Sequence, residues 1–599
     1  MSEELVTNHR KHSLNVNSHD TGMFANASNF EISGGQFMVT ASGEERNLTS
    51  TSDEEKKISE WLNAPDCLTN FTTAINKKTA GTGQWILSHP EYVMWRNSPN
   101  ILWIKGKAGS GKTILSTTII EDLRHHGKDN VCFHYFDSRD NSGAKSGYRG
   151  LLLSLIQQMS YHKQTIHSAL QRLYESCRHG LSVAPPSNTE LEICLNMILE
   201  EATPFIVLDA MDECCETVEV LNWLSSISNK LWIVVTSCHP PEGQLASVTG
   251  QITIDNPDSG IHEDIATYLQ IQMQNHIFKG DLKTQVTTKL IEKSQGQFRW
   301  VDCQFKVLKR CATPKVVWRT LEKLPHDLEE TYAQAVKKSM ESEHNEDAHN
   351  LLLWLTYAFE PLSLNQVADI LSIDLDEQVV DQRDLMDFKL HLVIDSNLVA
   401  IDTNNVVQLA HYSVKEFLIK SSKYTQTLGL FEINEQLAHH NISQACIIYI
   451  LQLKNDFLMD DQSWPSFPLV HYASKYWIDH MKALNVLSSN DALYNLAMKI
   501  LNEESPQFIT WSEIYEFYEK WKDINYNSEE ILHKVASTIQ KEHYIGGKPL
   551  YYAAICSHKN LVEFLVSNNQ NLDAQGGTYG SCQRLVPHNT RYQASRLPT

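Results

Sequence analysis

At 599 residues the chain is too long for a single hydrophobic core, and its length predicts roughly three to five domains. Its composition, 42% hydrophobic and 21% charged, is that of a globular protein, while a formal net charge of −21 from 51 basic and 72 acidic residues opposes non-specific binding to nucleic acid or to an anionic membrane. No stretch approaches the ~18 apolar residues of a membrane span, the N-terminus lacks a basic-then-apolar signal peptide, and the 12 cysteines lack the spacing of a metal finger or a disulfide framework, so the reading is a cytoplasmic protein with reduced thiols, no nucleic-acid partner and no membrane span.

Residues 1–52 are rich in Asn, Ser, Thr and Gly and have no core of their own. Within them Phe30, Ile32, Phe37 and Val39 flank Gly34-Gly35, a spacing that fits a disordered tail or, more sharply, two short strands of a motif that stacks with its own copies. A helical linker is expected over 53–98, starting with Ile58, Trp61 and Leu62 and ending near Gly81-Thr82-Gly83-Gln84-Trp85, a small-residue turn placed to lie over a nucleotide base.

An NTPase domain is expected over 99–260. The apolar run Ile101 to Ile104 leads into Gly106-Lys107-Ala108-Gly109-Ser110-Gly111-Lys112-Thr113, and a helical stretch follows from Ile114 to Leu123. A triphosphate needs several backbone N–H groups converging on one point, and glycines let the backbone come that close. Lys112 would reach the outer phosphates, Thr113 would ligate Mg²⁺, and the helix N-terminus adds its positive end. A strand is expected over Val131 to Phe136, followed by helices around Leu151 to Met159 and Ile166 to Cys177. The run Phe205 to Asp209 is a buried strand ending in a carboxylate suited to Mg²⁺, and Asp212 and Glu213, one turn on, are candidates to polarise an attacking water. Another strand, Trp232 to Thr236, would bring Thr236 and Ser237 to the γ-phosphate.

Residues 261–345 read as helical, and residues 346–425 as a winged helix: a helix pair over Leu351 to Leu371 broken by Pro361, a two-stranded wing at Leu398 to Ile401 and Val406 to Leu409, and a last helix begun by His411. From spacing alone His411 is a core or cap histidine or a ligand. Residues 426–540 are helical without a chemical signature. Over 541–575, Gly547-Lys548-Pro549-Leu550 and Asn560 to Val566 have the turn and helix pattern of one ankyrin repeat, and 576–599 is an irregular tail. A lone repeat cannot bury its faces, so the array reads as interrupted.

Taken in order, these motifs, together with Phe298-Arg299-Trp300-Val301 and Leu409-Ala410-His411-Tyr412-Ser413-Val414-Lys415-Glu416, make residues 53 to 575 resemble the fungal NACHT-domain signal-transduction NTPases, relatives of nucleotide-binding immune receptors. The fold class implied is an α/β P-loop NTPase with a parallel sheet flanked by helices, then helical and winged-helix domains and an incomplete ankyrin segment. The resemblance implies a switch, closed with a diphosphate and open with a triphosphate, that self-associates through the NTPase module in fungal self/non-self recognition or immunity-like signalling. It also implies a protein ligand at the C-terminal region, an effector at the N-terminus, and a diphosphate contact for His411. The family's strand-end Thr-Ser-Arg is here Thr236-Ser237-Cys238, so hydrolysis is expected to be slow or lost, and a nucleotide-stabilised scaffold is the alternative. No Asn-Lys-x-Asp guanine motif is present, which favours ATP and leaves GTP open; a metabolic kinase fits poorly, because no acceptor domain is visible.

Overall fold

The computed structural model describes residues 53–127, 130–139, 143–162, 165–179, 182–227, 230–241, 245, 250–254, 260–274, 278, 280–381, 389–402, 405–420, 433–453, 467–488, 491–521, 548–555, 562, 563 and 565. The N-terminal motif of residues 1–52, the tail from 576 and most of the second ankyrin helix lie outside these residues.

A parallel sheet stands at the centre. Its strands are β1 (Ile101–Lys105), β2 (Val131–Tyr135), β3 (Phe205–Asp209), β4 (Trp232–Ser237) and β5 (Gly250–Thr253), in the order β2-β3-β4-β1-β5. The strands read as apolar runs because both faces are covered. The pleat sends alternate residues to two cores. Leu102, Ile104, Phe133, Val207, Val234 and Ile252 pack with Leu115, Ile119 and Leu123 of α1 (Lys112–His125) and with Phe71, Tyr92 and Trp95. Ile101, Trp103, Cys132, Ile206, Leu208 and Val235 pack on the opposite face with Leu151, Leu155, Leu195 and Leu224. Each such aliphatic side chain, fully buried, contributes about 1.5–3 kcal/mol.

The expected strand at 131–136 ends one residue early, and the strand from Trp232 runs on to Ser237. Strand β5 was not anticipated: in Gly250-Gln251-Ile252-Thr253 only Ile252 is buried, so no apolar run marks it.

Beyond the sheet the chain is mainly helical. Helix α2 (Phe298–Lys309) and helix α3 (Leu328–Met340), the latter capped by Asp327, lead into the winged helix. Its wing has three strands rather than the two expected: β6 (Leu362–Ser363), β7 (Val399–Ile401) and β8 (Val406–Leu409), ordered β6-β8-β7 and antiparallel. The additional strand is the two residues after Pro361, too short for any periodicity. Helix α4 (Tyr412–Ile419) closes the unit. Toward the C-terminus, every residue of helix Pro549–Ile555 is buried, with the Tyr552 ring 4.7 Å from Trp511 and 5.6 Å from Tyr515. The first helix of the ankyrin-like stretch therefore buries itself on helix Pro506–Trp521, which supplies the neighbour that a lone repeat lacks.

Candidate functional site

Strand β1 delivers the chain to Gly106, whose N–H donates to the Ser237 carbonyl at 3.1 Å. A Cβ on Gly106 would lie 2.6 Å from Ser110 Oγ and 2.8 Å from the Ile254 side chain. Gly109 and Gly111 have φ of +75° and +94°, in the region that disfavours L side chains, and a Cβ on Gly109 would meet the Arg299 Cβ at 2.6 Å. Gly111 caps α1 without a side chain, so the helix presents its positive end to the loop. Ser110 Oγ is buried with no hydrogen-bond partner among the described residues. A backbone cradle that excludes Cβ atoms, with an unsatisfied hydroxyl in it, fits a phosphate group.

The Lys112 ammonium donates to the Gly106 carbonyl at 2.9 Å, the Lys107 carbonyl at 3.2 Å and Cys238 Sγ at 3.0 Å. Burial disfavours its charge, but Cys238 and Asp212 beside it more than offset this and hold the proton. Thr113 Oγ1 donates to Asp209 Oδ2 and Thr236 Oγ1 to Asp209 Oδ1, each at 2.7 Å, and Thr236 in turn accepts from the Ala210 N–H at 2.9 Å. Thr236 thus supports Asp209 from the strand between β1 and β3, and Ser237 Oγ accepts from the His239 N–H. Burial raises the pKa of Asp209, and the two hydroxyls oppose that rise. An alcohol and a carboxylate oxygen in contact form a donor set suited to Mg²⁺.

Asp212 Oδ1 accepts from the Cys238 N–H at 2.8 Å. Glu213 Oε2 accepts from Ser138 N at 3.1 Å and Ser138 Oγ at 3.3 Å. Burial and then the Asp137 charge push the Glu213 carboxyl above the usual range. Burial also works against ionised Asp137, but the Arg139 guanidinium overrides it through bonds of 2.9 and 2.8 Å and keeps Asp137 well below the usual range.

The helical segment docks directly on the loop. Gln295 Oε1 accepts from Lys107 Nζ at 3.3 Å, Gln297 Nε2 donates to the Ala108 carbonyl at 3.0 Å, and the Arg299 N–H donates to the Gly109 carbonyl at 3.0 Å. From the winged helix, His411 is the N-cap of α4: its Nδ1 accepts from the Ser413 N–H at 3.1 Å and lies 2.8 Å from Ser413 Oγ, which is 2.9 Å from the Tyr332 hydroxyl on α3. These bonds assign the ring proton to Nε2. Burial, then the positive charges of Arg299, Arg139, Lys112 and Lys77, push its pKa well below the usual value, so the ring is neutral. His411 is thus a cap residue, and its ring lies among the cations of the loop region.

The Gly81 to Trp85 turn is strapped to the helix Ile261–Gln272: Gly83 N and Trp85 Nε1 donate to Asp264 Oδ2 at 2.9 and 3.0 Å. Burial raises the Asp264 carboxyl to about 6.

Residues that the sequence did not single out are Lys77, Asp137 and Arg139, and, as individual contacts, Arg299 and Lys415. The one signal for Asp137 and Arg139 was their position, polar residues immediately past the carboxyl end of a parallel strand, where ligands of such sheets bind.

A parallel sheet of this order, with a glycine loop leaving β1 and an aspartate ending β3 two strands away, defines a P-loop NTPase fold, here followed by helical and winged-helix segments. Residues 81–238 match the family described as nephrocystin 3, N-terminal, and residues 336–427 the GPI inositol-deacylase winged helix domain. The chain is 25% identical over 451 residues to a vegetative incompatibility protein, HET-E-1, of Podospora anserina, covering 67% of this chain and 32% of that protein. It is also 25% identical over 280 residues to azaphilone pigments biosynthesis cluster protein L of Monascus ruber, covering 44% and 56%. The chain therefore spans a third to somewhat over half of these relatives. In line with these matches, it resembles the fungal NACHT-type NTPases; neither family match reaches the ankyrin pattern. Among solved structures, a STAND protein with a tetratricopeptide repeat sensor from Pyrococcus horikoshii aligns at 14% identity and a TM-score of 0.34, over 85% of this chain and 70% of that one. Cdc6p from Pyrobaculum aerophilum aligns at 10% identity and a TM-score of 0.27, over 60% and 97%. Likenesses of this size decide nothing further. No helix among the described residues is long and apolar enough to cross a membrane.

Proposed function

We propose that this chain is a nucleotide-binding signalling switch whose NTPase segment binds ATP or GTP and self-associates on activation. The loop Gly106 to Thr113 holds the phosphates, with Lys112 turning from its own loop carbonyls to them; Thr113 and Asp209 hold Mg²⁺; His411 donates from Nε2 to a diphosphate oxygen; Glu213 or Asp212 positions water. A bound Mg²⁺ would offset charge on the phosphate oxygens. The observation that carries the reading is convergence: the helical segment bonds to Lys107, Ala108 and Gly109, and the winged helix bonds to Arg299 of that segment through Asn397 and to Ser138 past β2 through Lys415. A ligand shifts a two-state equilibrium only through contacts that differ between states, and here the segments that would have to separate both lie at the phosphate loop. Likeness to a protein of vegetative incompatibility supports a place in fungal self/non-self recognition. On this reading a protein ligand binds the C-terminal helical region and an effector the N-terminal segment.

A scaffold that binds nucleotide without turnover is favoured by one observation: both candidate carboxylates are occupied, Asp212 by the Cys238 N–H and Glu213 by Ser138. Purified protein decides between the readings. The expected result is a copurifying diphosphate, triphosphate-dependent growth in size-exclusion mass and slow phosphate release that Glu213→Gln abolishes; binding and assembly without release supports the scaffold. Nucleotide-dependent thermal stabilisation that persists in Lys112→Ala would sink both.

A further inference from the structure

The carboxyl ends of β2 and β3 lie side by side, with Tyr135 opposite Asp209 and the Phe136 N–H donating to the Asp209 carbonyl at 3.0 Å. Arg139 follows the end of β2 much as Glu213 follows the end of β3, and the Ser138–Glu213 bonds hold the two extensions together. Arg139 therefore lies past the same carboxyl edge of the sheet as Asp209, which accepts from Thr113 of the phosphate loop.

Its guanidinium is fixed there. Nε and Nη2 bond to the two oxygens of Asp137, the Arg139 N–H donates to Asp137 Oδ1 at 3.1 Å, and 27% of the side chain stays accessible. A planar fork with five donors that uses one face on Asp137 keeps others for a second anion. Ser138, the residue before it, donates to Glu213 and accepts from Lys415 of the winged helix, so Arg139 stands where three elements meet. Position 238, the end of β4, carries a cysteine whose sulfur accepts from Lys112, so that strand end brings no cation.

We infer that Arg139 is a ligand of the terminal phosphate, supplying from the end of β2 the cationic charge that Cys238 does not supply from the end of β4. The inference rests on the nucleotide reading above. An arginine supplied in cis stabilises charge on a terminal phosphoryl group, and being placed beside Glu213 it distinguishes triphosphate from diphosphate. Asp137 is then a positioning residue, and Lys112 remains the contact common to both nucleotides.

The test uses the full chain and the magnesium complexes of ATP, GTP and their diphosphates, measured by calorimetry. Arg139→Ala is expected to weaken triphosphate binding about tenfold or more, the scale of a lost charged hydrogen bond, and diphosphate binding less than about threefold. Arg139→Gln, which keeps a donor for Asp137 but no charge, gives the same selective loss and serves if the alanine variant does not fold. Cys238→Arg added to Arg139→Gln restores the preference for triphosphate. An unchanged triphosphate-to-diphosphate ratio in Arg139→Gln, or equal loss of both, overturns the inference while Lys112-dependent binding by the parent leaves the nucleotide reading intact; absence of any binding by the parent overturns that reading itself.

Discussion

Lys415 of α4 donates to the Ser138 carbonyl at 2.5 Å, while the N–H and hydroxyl of Ser138 donate to Glu213. The winged helix and the acidic end of β3 thus grip one residue from opposite sides. Lys415→Met keeps the aliphatic stem and removes the charged donor, so it should cost on the order of 1 kcal/mol and loosen the segment after β2. Hydrogen exchange checks it: protection at 137–139 should fall while β3 keeps its own, and unaltered exchange there would show that the winged helix does not restrain this segment.

Asp264 gives a pH signature. Burial raises its folded carboxyl from an ordinary 3.8 to about 6, so between those values the native chain binds more protons than the unfolded one. Stability from this group is therefore greatest below about pH 4, declines as pH rises through about 6, and is level beyond. Asp264→Asn retains an oxygen for Gly83 and Trp85 and removes the titration. Melting curves of parent and variant should diverge with rising pH, the parent losing ground; parallel curves would place the carboxyl in its ordinary range.

Two glycine substitutions separate backbone strain from collision. Gly81 has φ +84° with open space around its missing Cβ, whereas Gly109 has φ +75° and the Arg299 Cβ 2.6 Å away. Gly81→Ala should cost about 1 kcal/mol from the dihedral alone. Gly109→Ala should cost at least twice that, because the loop and α2 must part. Denaturant titration measures both, and equal costs would mean that α2 yields without penalty.

His411 combines two roles that substitution can divide. Asparagine can cap a helix, so His411→Asn should leave stability within about 0.5 kcal/mol, whereas His411→Ala should lose about 1 kcal/mol. Neither carries an imidazole N–H, so both should retain less copurified diphosphate and show more assembled protein without ligand. Normal retention in both would confine His411 to capping.

What could be read in the sequence followed physical locality. The phosphate loop was legible because glycine spacing is a backbone requirement, and β1 to β4 because strands covered on both faces become apolar runs; β5, with one buried side chain, leaves no such trace. The bond from Thr236 to Asp209 joins neighbouring strands, a pairing that neither strand announces alone. The contact of Gln297 with Ala108 spans 189 positions and that of Ser138 with Glu213 spans 75, distances over which no periodicity carries information. The ankyrin pattern exposed only its turn and helix spacing, not the aromatic cluster at Trp511 that receives its first helix.

The place of β4 between β1 and β3 also dictates an order of events during folding. Thr113 and Asp209 are 96 positions apart and sit on elements that do not pair directly; the strand that joins them is made last of the three. A nascent chain emerging at about 5–20 residues per second therefore carries β1, with both edges unpaired, from residue 105 to residue 232 before either neighbour exists. Closing a pairing of such range is slow, so the phosphate loop acquires its acidic partner late, and slowing synthesis just before residue 232 should lengthen the time in which the half-made sheet engages chaperones or aggregates.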